Sequence, residues 1–229
     1  MNPRIVVKAV LALVLAAFVP TLSATTIWFT LGGQSCGLAG VCTARLTATT
    51  VTFDDLLADT PSPYTDGLAT YSWEAANSPF VQGNVPGQWA TPVGDSTTFL
   101  TIGSGDRPST VTISFSTPVS YFGLYLGSPD SYNSISFYDQ AGPIGSYAGN
   151  QLINPGNGNQ SISDYVNFYA SGGKITQIVM SSTSPAFETD NHAYDTVPEP
   201  GTFGAPALGL AFAALLARRR RLFSQSQSA

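Results

Sequence analysis

Hydrophobic and polar residues alternate most regularly over residues 109–116, where Val111, Ile113 and Phe115 are interleaved with Thr110, Thr112, Ser114 and Ser116. Successive side chains of an extended chain point to opposite faces, so this period of two predicts a strand with one apolar face. The same reading gives strands at 27–31 (Ile-Trp-Phe-Thr-Leu), 45–53, 121–127 and 132–138, the last with Ile135 and Phe137 set against serines. Residues 163–169 and 174–180 predict a further pair joined through Ser171-Gly172-Gly173, and 186–194 predicts the last strand. Thr117-Pro118 and Gly127-Ser128-Pro129-Asp130 read as turns. Residues 61–95 read as long loops with one ill-defined strand, and 140–161 as another extended loop. No stretch of 25–196 keeps a 3.6-residue apolar period long enough for a helix. About eight to ten short strands with regular turn signals predict an all-β fold, a β-sandwich of the jelly-roll kind.

Composition agrees with that picture. At 229 residues the chain has room for one domain plus targeting segments. Only 10% of residues are charged, against 22 Gly and 16 Pro, which suits an extracellular β-domain better than a cytosolic helical enzyme. Aromatic residues at 11% supply large side chains for a core and argue against wholesale disorder. The net charge of −5 hides an asymmetry: Arg45, Arg107 and Lys174 are the only bases between 25 and 197, where thirteen acids lie. An acidic middle disfavours nucleic acid as a partner, because phosphate contacts need Lys and Arg.

Both ends read as addresses. Arg4 and Lys8 precede an unbroken apolar run over 10–19, followed by Pro20 and the small residues Ser23 and Ala24. This predicts a secretory signal peptide over 1–24, with the Sec translocon and signal peptidase as partners. The β-sandwich ectodomain then spans 25–196. Beyond it, Pro198-Glu199-Pro200 is stiff and extended, since each proline fixes its own φ and restricts the residue before it. An apolar stretch follows over 202–217, and then Arg218, Arg219, Arg220 and Arg221. An apolar segment capped by a basic block predicts a transmembrane stop whose end, 224–229, stays in the cytoplasm.

The order of these three parts over 197–223 closely resembles the PEP-CTERM sorting tail of Gram-negative bacteria. In that family Pro-Glu-Pro, here Pro198, Glu199 and Pro200, is recognised by an exosortase. The resemblance implies a chain that is a substrate of C-terminal processing. It would sit transiently in the inner membrane and end at the cell surface or outside the cell. The ectodomain is similar to an uncharacterised exosortase-dependent surface protein family of Nostoc-like bacteria. That likeness rests on Thr52-Phe53-Asp54, the segment Val119-Ser120-Tyr121-Phe122-Gly123-Leu124-Tyr125, and Phe187-Glu188-Thr189-Asp190-Asn191. It carries no catalytic motif.

Candidate chemistry in the middle is sparse. Cys36 and Cys42 are the only cysteines and predict a disulfide in an exported chain. His192, the only histidine, makes no zinc site alone and supports neither a cysteine nor a serine nucleophile; it reads as a packed residue. Asp54 and Asp55 with Glu188 and Asp190 predict a structural calcium site if the early and last strands lie side by side; the plainer reading is exposed acids or turn caps. Nothing in the sequence pairs two acids as a glycosidase needs. Trp73 and Trp89, in a loop-rich region with Tyr64, Tyr71 and Phe80, either stack on sugars or plug the edge of the core. The expected function is therefore that of a non-enzymatic surface or extracellular-matrix protein, with a carbohydrate-binding module of the envelope or biofilm matrix as the alternative.

Overall fold

The structure, a computed structural model, describes residues 24–196. The expected signal peptide, the Pro198-Glu199-Pro200 motif, the apolar stretch and Arg218 to Arg221 lie outside the described residues. Among the described residues no helix is long and apolar enough to cross a membrane.

Among the described residues, fifteen strands and one short helix form two facing antiparallel sheets and a small ribbon. The first sheet contains β1 (Thr26–Leu31), β4 (Thr49–Val51), β7 (Phe80–Gln82), β8 (Thr98–Ile102), β10 (Tyr121–Gly127), β13 (Ser163–Ser171) and β15 (Phe187–Asp195). Its order is β1-β13-β10-β15-β8-β7, with β4 also paired to β15. The second contains β5 (Tyr64–Asp66), β6 (Ala69–Ser72), β9 (Thr110–Val119), β11 (Asn133–Asp139), β12 (Gly142–Ala148) and β14 (Ile175–Ser182), in the order β12-β11-β14-β9-β6-β5. The ribbon joins β2 (Gln34–Ser35) to β3 (Val41–Cys42). The helix α1 (Gly149–Leu152) is a single turn after β12.

The alternation at 109–116 does what its period requires. Val111 and Ile113 are fully buried and Phe115 nearly so, while Thr112 and Ser114 lie on the half-buried outer face. Phe122, Leu124 and Leu126 of β10 and Phe168 of β13 meet Ile135, Phe137, Ile178 and Met180 of the other sheet in one core. Phe137 and Phe168 approach to 4.7 Å between ring centroids, across the sandwich. Each such ring removed from water contributes about 1.5–3 kcal/mol.

Several local expectations change. The strands at 163–169 and 174–180 do not pair: β13 lies between β1 and β10, and β14 between β11 and β9, so the Ser171-Gly172-Gly173 link crosses from one sheet to the other. The strand expected over 45–53 shrinks to Thr49–Val51, because Arg45 and Thr47 turn back to bind Asp195. The Thr117-Pro118 turn is absent; β9 runs through it with a shift in register against β14, the kind of irregularity at which a proline is tolerated in a sheet. Residues 140–161 hold β12 and α1, and 61–95 hold β5, β6 and β7. Their strands are too short, or too interrupted by Gly and Pro, to show a period.

Candidate functional site

The strand β15 has the least ordinary sequence in the fold. All nine residues of Phe-Glu-Thr-Asp-Asn-His-Ala-Tyr-Asp are buried, although most of them are polar. Its position explains the burial. It runs through the middle of the larger sheet between β10 and β8, has the second sheet beneath it and is covered by loops above. Its register against β10 shifts between Gly123↔Ala193 and Tyr125↔Asp190, so two residues, Asn191 and His192, face the single Leu124. Such a bulge re-aims side chains. Asn191 takes the left-handed φ of 50° that the bulge needs.

On the inner face His192 packs against Phe53, Tyr71 and Phe122. Its Nδ1 lies 3.2 Å from the Tyr71 hydroxyl and its Nε2 2.9 Å from Thr189 Oγ1. Burial pushes its pKa down to about 3, so the ring is a neutral core element.

On the outer face three acids have three different environments. Asp195 accepts the Arg45 Nε–H at 2.8 Å and the Thr47 hydroxyl. Glu188 Oε1 accepts the Ala90 N–H at 2.9 Å and its Oε2 accepts the Ser128 hydroxyl at 2.7 Å. Burial nevertheless pushes the Glu188 carboxyl up to about 7. Asp190 is fully buried, and neither of its carboxyl oxygens has a hydrogen-bond partner. Burial first, and then the nearby Asp95 carboxyl, raise it to about 10. Two full negative charges at contact distance would repel by about 4 kcal/mol even at an effective dielectric of 20.

Glu188 forms the floor of a polar cleft of about 260 Å³, with Asp130, Tyr132, Asn157 and Gln160 on its walls and Trp89 at its rim. Trp89 is half-buried. Its indole N–H donates to the Gly83 carbonyl at 3.1 Å, and the Arg107 guanidinium lies 5.5 Å from the ring centroid.

The acids expected to share a calcium ion separate into different environments. The pairing of β4 with β15 brings the early and last strands together as anticipated. Asp54, however, is exposed in the turn after β4, and Glu188 belongs to the Trp89 cleft. Only Asp190 stays unpartnered, and the acid beside it is Asp95, which the sequence reading did not single out. Among the described residues no three His, Cys, Asp or Glu side chains converge on a common metal position. Cys36 and Cys42 form the expected disulfide.

Trp73 does not offer a face to sugar. It is 8% exposed and packs edge-on against Phe80, 5.7 Å away, as the core-plugging alternative requires. The open aromatic surface lies elsewhere. Trp28, 46% exposed on β1, stacks on Tyr169 of β13 at 4.2 Å and 22°. Tyr169 meets Tyr121 at 5.4 Å, over which Arg45 sits at 5.1 Å. The signal was present in β1, where a strict period of two turns Ile27 and Phe29 inward and Trp28 outward. Its exposure depends on β1 being an edge strand, which the sequence does not state.

No family model matches the chain, and no curated protein matches it. Among solved structures, the enzymatically active domain of tailspike protein 4 of bacteriophage CBA120 aligns with 19% identity and a TM-score of 0.32. The alignment covers 70% of this chain and 23% of the tailspike chain, so this protein spans less than a quarter of that length. A likeness of this size carries no argument about function.

Proposed function

We propose that this chain is an exported, non-enzymatic surface or extracellular-matrix protein and a substrate of exosortase-type processing. The observation that carries the reading is the order of the C-terminal parts: Pro198-Glu199-Pro200, an apolar stretch, then four consecutive arginines. The disulfide between Cys36 and Cys42 fits an oxidising compartment. The strand orders β8-β15-β10-β13 and β9-β14-β11-β12 support a jelly-roll reading of the sandwich, with consecutive strands passing between the two sheets in the jelly-roll sequence. In a host with an exosortase, replacing Pro198, Glu199 and Pro200 by alanine should leave the tail attached and the protein in the membrane fraction. Identical maturation of wild type and variant, read by mass spectrometry of the intact protein, refutes the sorting role.

A second reading, polysaccharide binding by the ectodomain, is favoured by the exposed Trp28–Tyr169 stack on the outer sheet face. Flat, paired rings beside the polar Thr26 and Thr30 suit the apolar face of a sugar chain. On a glycan array, saturable binding that Trp28→Ala abolishes supports this reading, and binding unchanged by Trp28→Ala and Trp89→Ala removes it.

A further inference from the structure

Four buried oxygens lie without hydrogen-bond partners where the disulfide loop crosses the outer face of β15: Asp95 Oδ2, Asp190 Oδ1 and Oδ2, and Asn191 Oδ1. Their residues are each at least nine-tenths buried. The contacts around them tie the three residues to one place. The Asn191 amide donates to the carbonyls of Ala39 and Val41 in the disulfide loop. Ala39 forms an antiparallel bridge with Asp95, and Ser96 N–H donates to Leu38 O at 2.8 Å. The Asp95 and Asp190 carboxyls are neighbours, within interaction distance of one another.

All four orphan atoms are acceptors. The side-chain donors beside them are committed elsewhere: the Asn191 amide on the loop carbonyls, and the Thr97 hydroxyl, with its N–H, on Asp95 Oδ1, both at 2.7 Å. The Asn191 backbone N–H favours the Asp190 carboxylate without closing a hydrogen bond to it. A proton shared between the carboxyls satisfies two of the four oxygens, and leaves the other two buried and unpaired. Buried polar atoms are rarely left so. A cation lying among them would give these acceptors the positive partner that one shared proton does not supply.

We propose that Asp95, Asp190 and Asn191 form a binding site for one calcium ion beneath the Cys36–Cys42 loop. The donor set is all oxygen, carboxylate and amide, which suits a hard cation. Calcium accepts the irregular geometry and the six to eight ligands that two carboxylates, an amide oxygen, loop carbonyls and water can provide. Magnesium requires near-octahedral geometry and keeps its waters, which a covered site resists. Zinc would call on nitrogen or sulfur. Here the one histidine is on the opposite face of β15, and both cysteines are joined to each other. The ion would pin the disulfide loop and the 92–97 loop to the central strand. The proposal rests on the domain's own geometry and is independent of how the protein is sorted.

The test uses the purified full chain, stripped with EDTA and titrated calorimetrically with calcium chloride or magnesium chloride. One calcium per chain is expected, with magnesium at least tenfold weaker. The melting temperature should rise by about 5–10 °C when calcium is a hundredfold above its dissociation constant. Asp95→Asn and Asp190→Asn should each weaken calcium binding at least tenfold, while Asp59→Asn, an exposed acid, leaves it unchanged. Wild-type protein that shows no binding heat and no thermal response to EDTA overturns the proposal, whatever the variants do. So does a calcium response that survives both aspartate substitutions.

Discussion

Replacing Glu188 by glutamine should stabilise the protein at alkaline pH and do almost nothing at acid pH. The glutamine is the same shape. Its carbonyl still accepts the Ala90 N–H, and its amide donates to Ser128 once that hydroxyl rotates. Only the charge differs. Burial raises the Glu188 pKa from 4.5 to about 7, despite the two hydrogen bonds that favour the carboxylate. Because the folded-state pKa lies above the unfolded one, the folded chain holds the extra proton between these two values. That contribution to stability is complete below pH 4.5 and is lost as pH rises through 7. At about 1.36 kcal/mol per pKa unit, the loss approaches about 3 kcal/mol by pH 8. His192 acts in the opposite direction, since its pKa falls to about 3 and its contribution is lost as pH falls below 6.5, but it is common to both proteins and cancels in the difference. Urea unfolding in EDTA at pH 4.5, 6 and 8 measures that difference directly. Glu188→Gln should match wild type at pH 4.5 and exceed it by about 3 kcal/mol at pH 8. A difference that is constant with pH, or a glutamine variant that is weaker at pH 8, refutes the claim that Glu188 is buried against its charge.

Other perturbations have definite expectations. Cys36→Ser with Cys42→Ser opens a small loop and should lower stability by about 2 kcal/mol, read by chemical denaturation with and without reductant. Gly123→Ala would set a Cβ 2.5 Å from the Tyr121 hydroxyl and 2.7 Å from the Tyr165 ring. Both hydroxyls are held, by Asn167 and by the Asn191 carbonyl, so neither ring yields easily and a loss of about 1–3 kcal/mol should follow. Phe137→Ala removes the ring at the centre of the sandwich and should cost about 3–5 kcal/mol, seen as a lower denaturation midpoint.

The strands legible in the sequence are those with one buried and one open face. Residues 110–116 and 133–138 announce themselves because threonine and serine alternate with Val, Ile and Phe, and both segments are strands with Val111, Ile113, Ile135 and Phe137 in the core. Which strand joins which sheet was not legible. Residues 163–169 and 174–180 look like a hairpin because a Gly-Gly link separates them, yet they lie in opposite sheets. A short link crosses a sandwich as readily as it turns a hairpin, and the choice is made by partners more than thirty residues away, Val111 with Met180 and Phe122 with Phe168. Short strands such as Tyr64–Asp66 and Phe80–Gln82 carry too few residues for any period to show.

The acids of β15 were visible as unusual residues in a strand, but their roles depend on the loops above them. Glu188, Asp190 and Asp195 are all carboxyls on one strand; the period of two would put Asp195 on the opposite face, and the bulge at Asn191–His192 brings it to the outer face with the other two. The structure gives Asp195 an arginine, Glu188 a backbone N–H and a hydroxyl, and Asp190 a second carboxyl. The three partners, Arg45, Ala90 and Asp95, come from two loops distant in sequence from β15. The expected pairing of an early strand with the last one is present, since β4 lies beside β15. Asp54 follows β4 into solvent, whereas Asp95 is carried over the strand by a loop whose path is fixed through Ser96 to the disulfide-closed segment. A buried strand of hydrogen-bonding side chains therefore acts as the anchor to which the covering loops are tied, one acid to each contact. Asp190, which the fold leaves with only another acid, is the position where a ligand from outside the chain has something to complete.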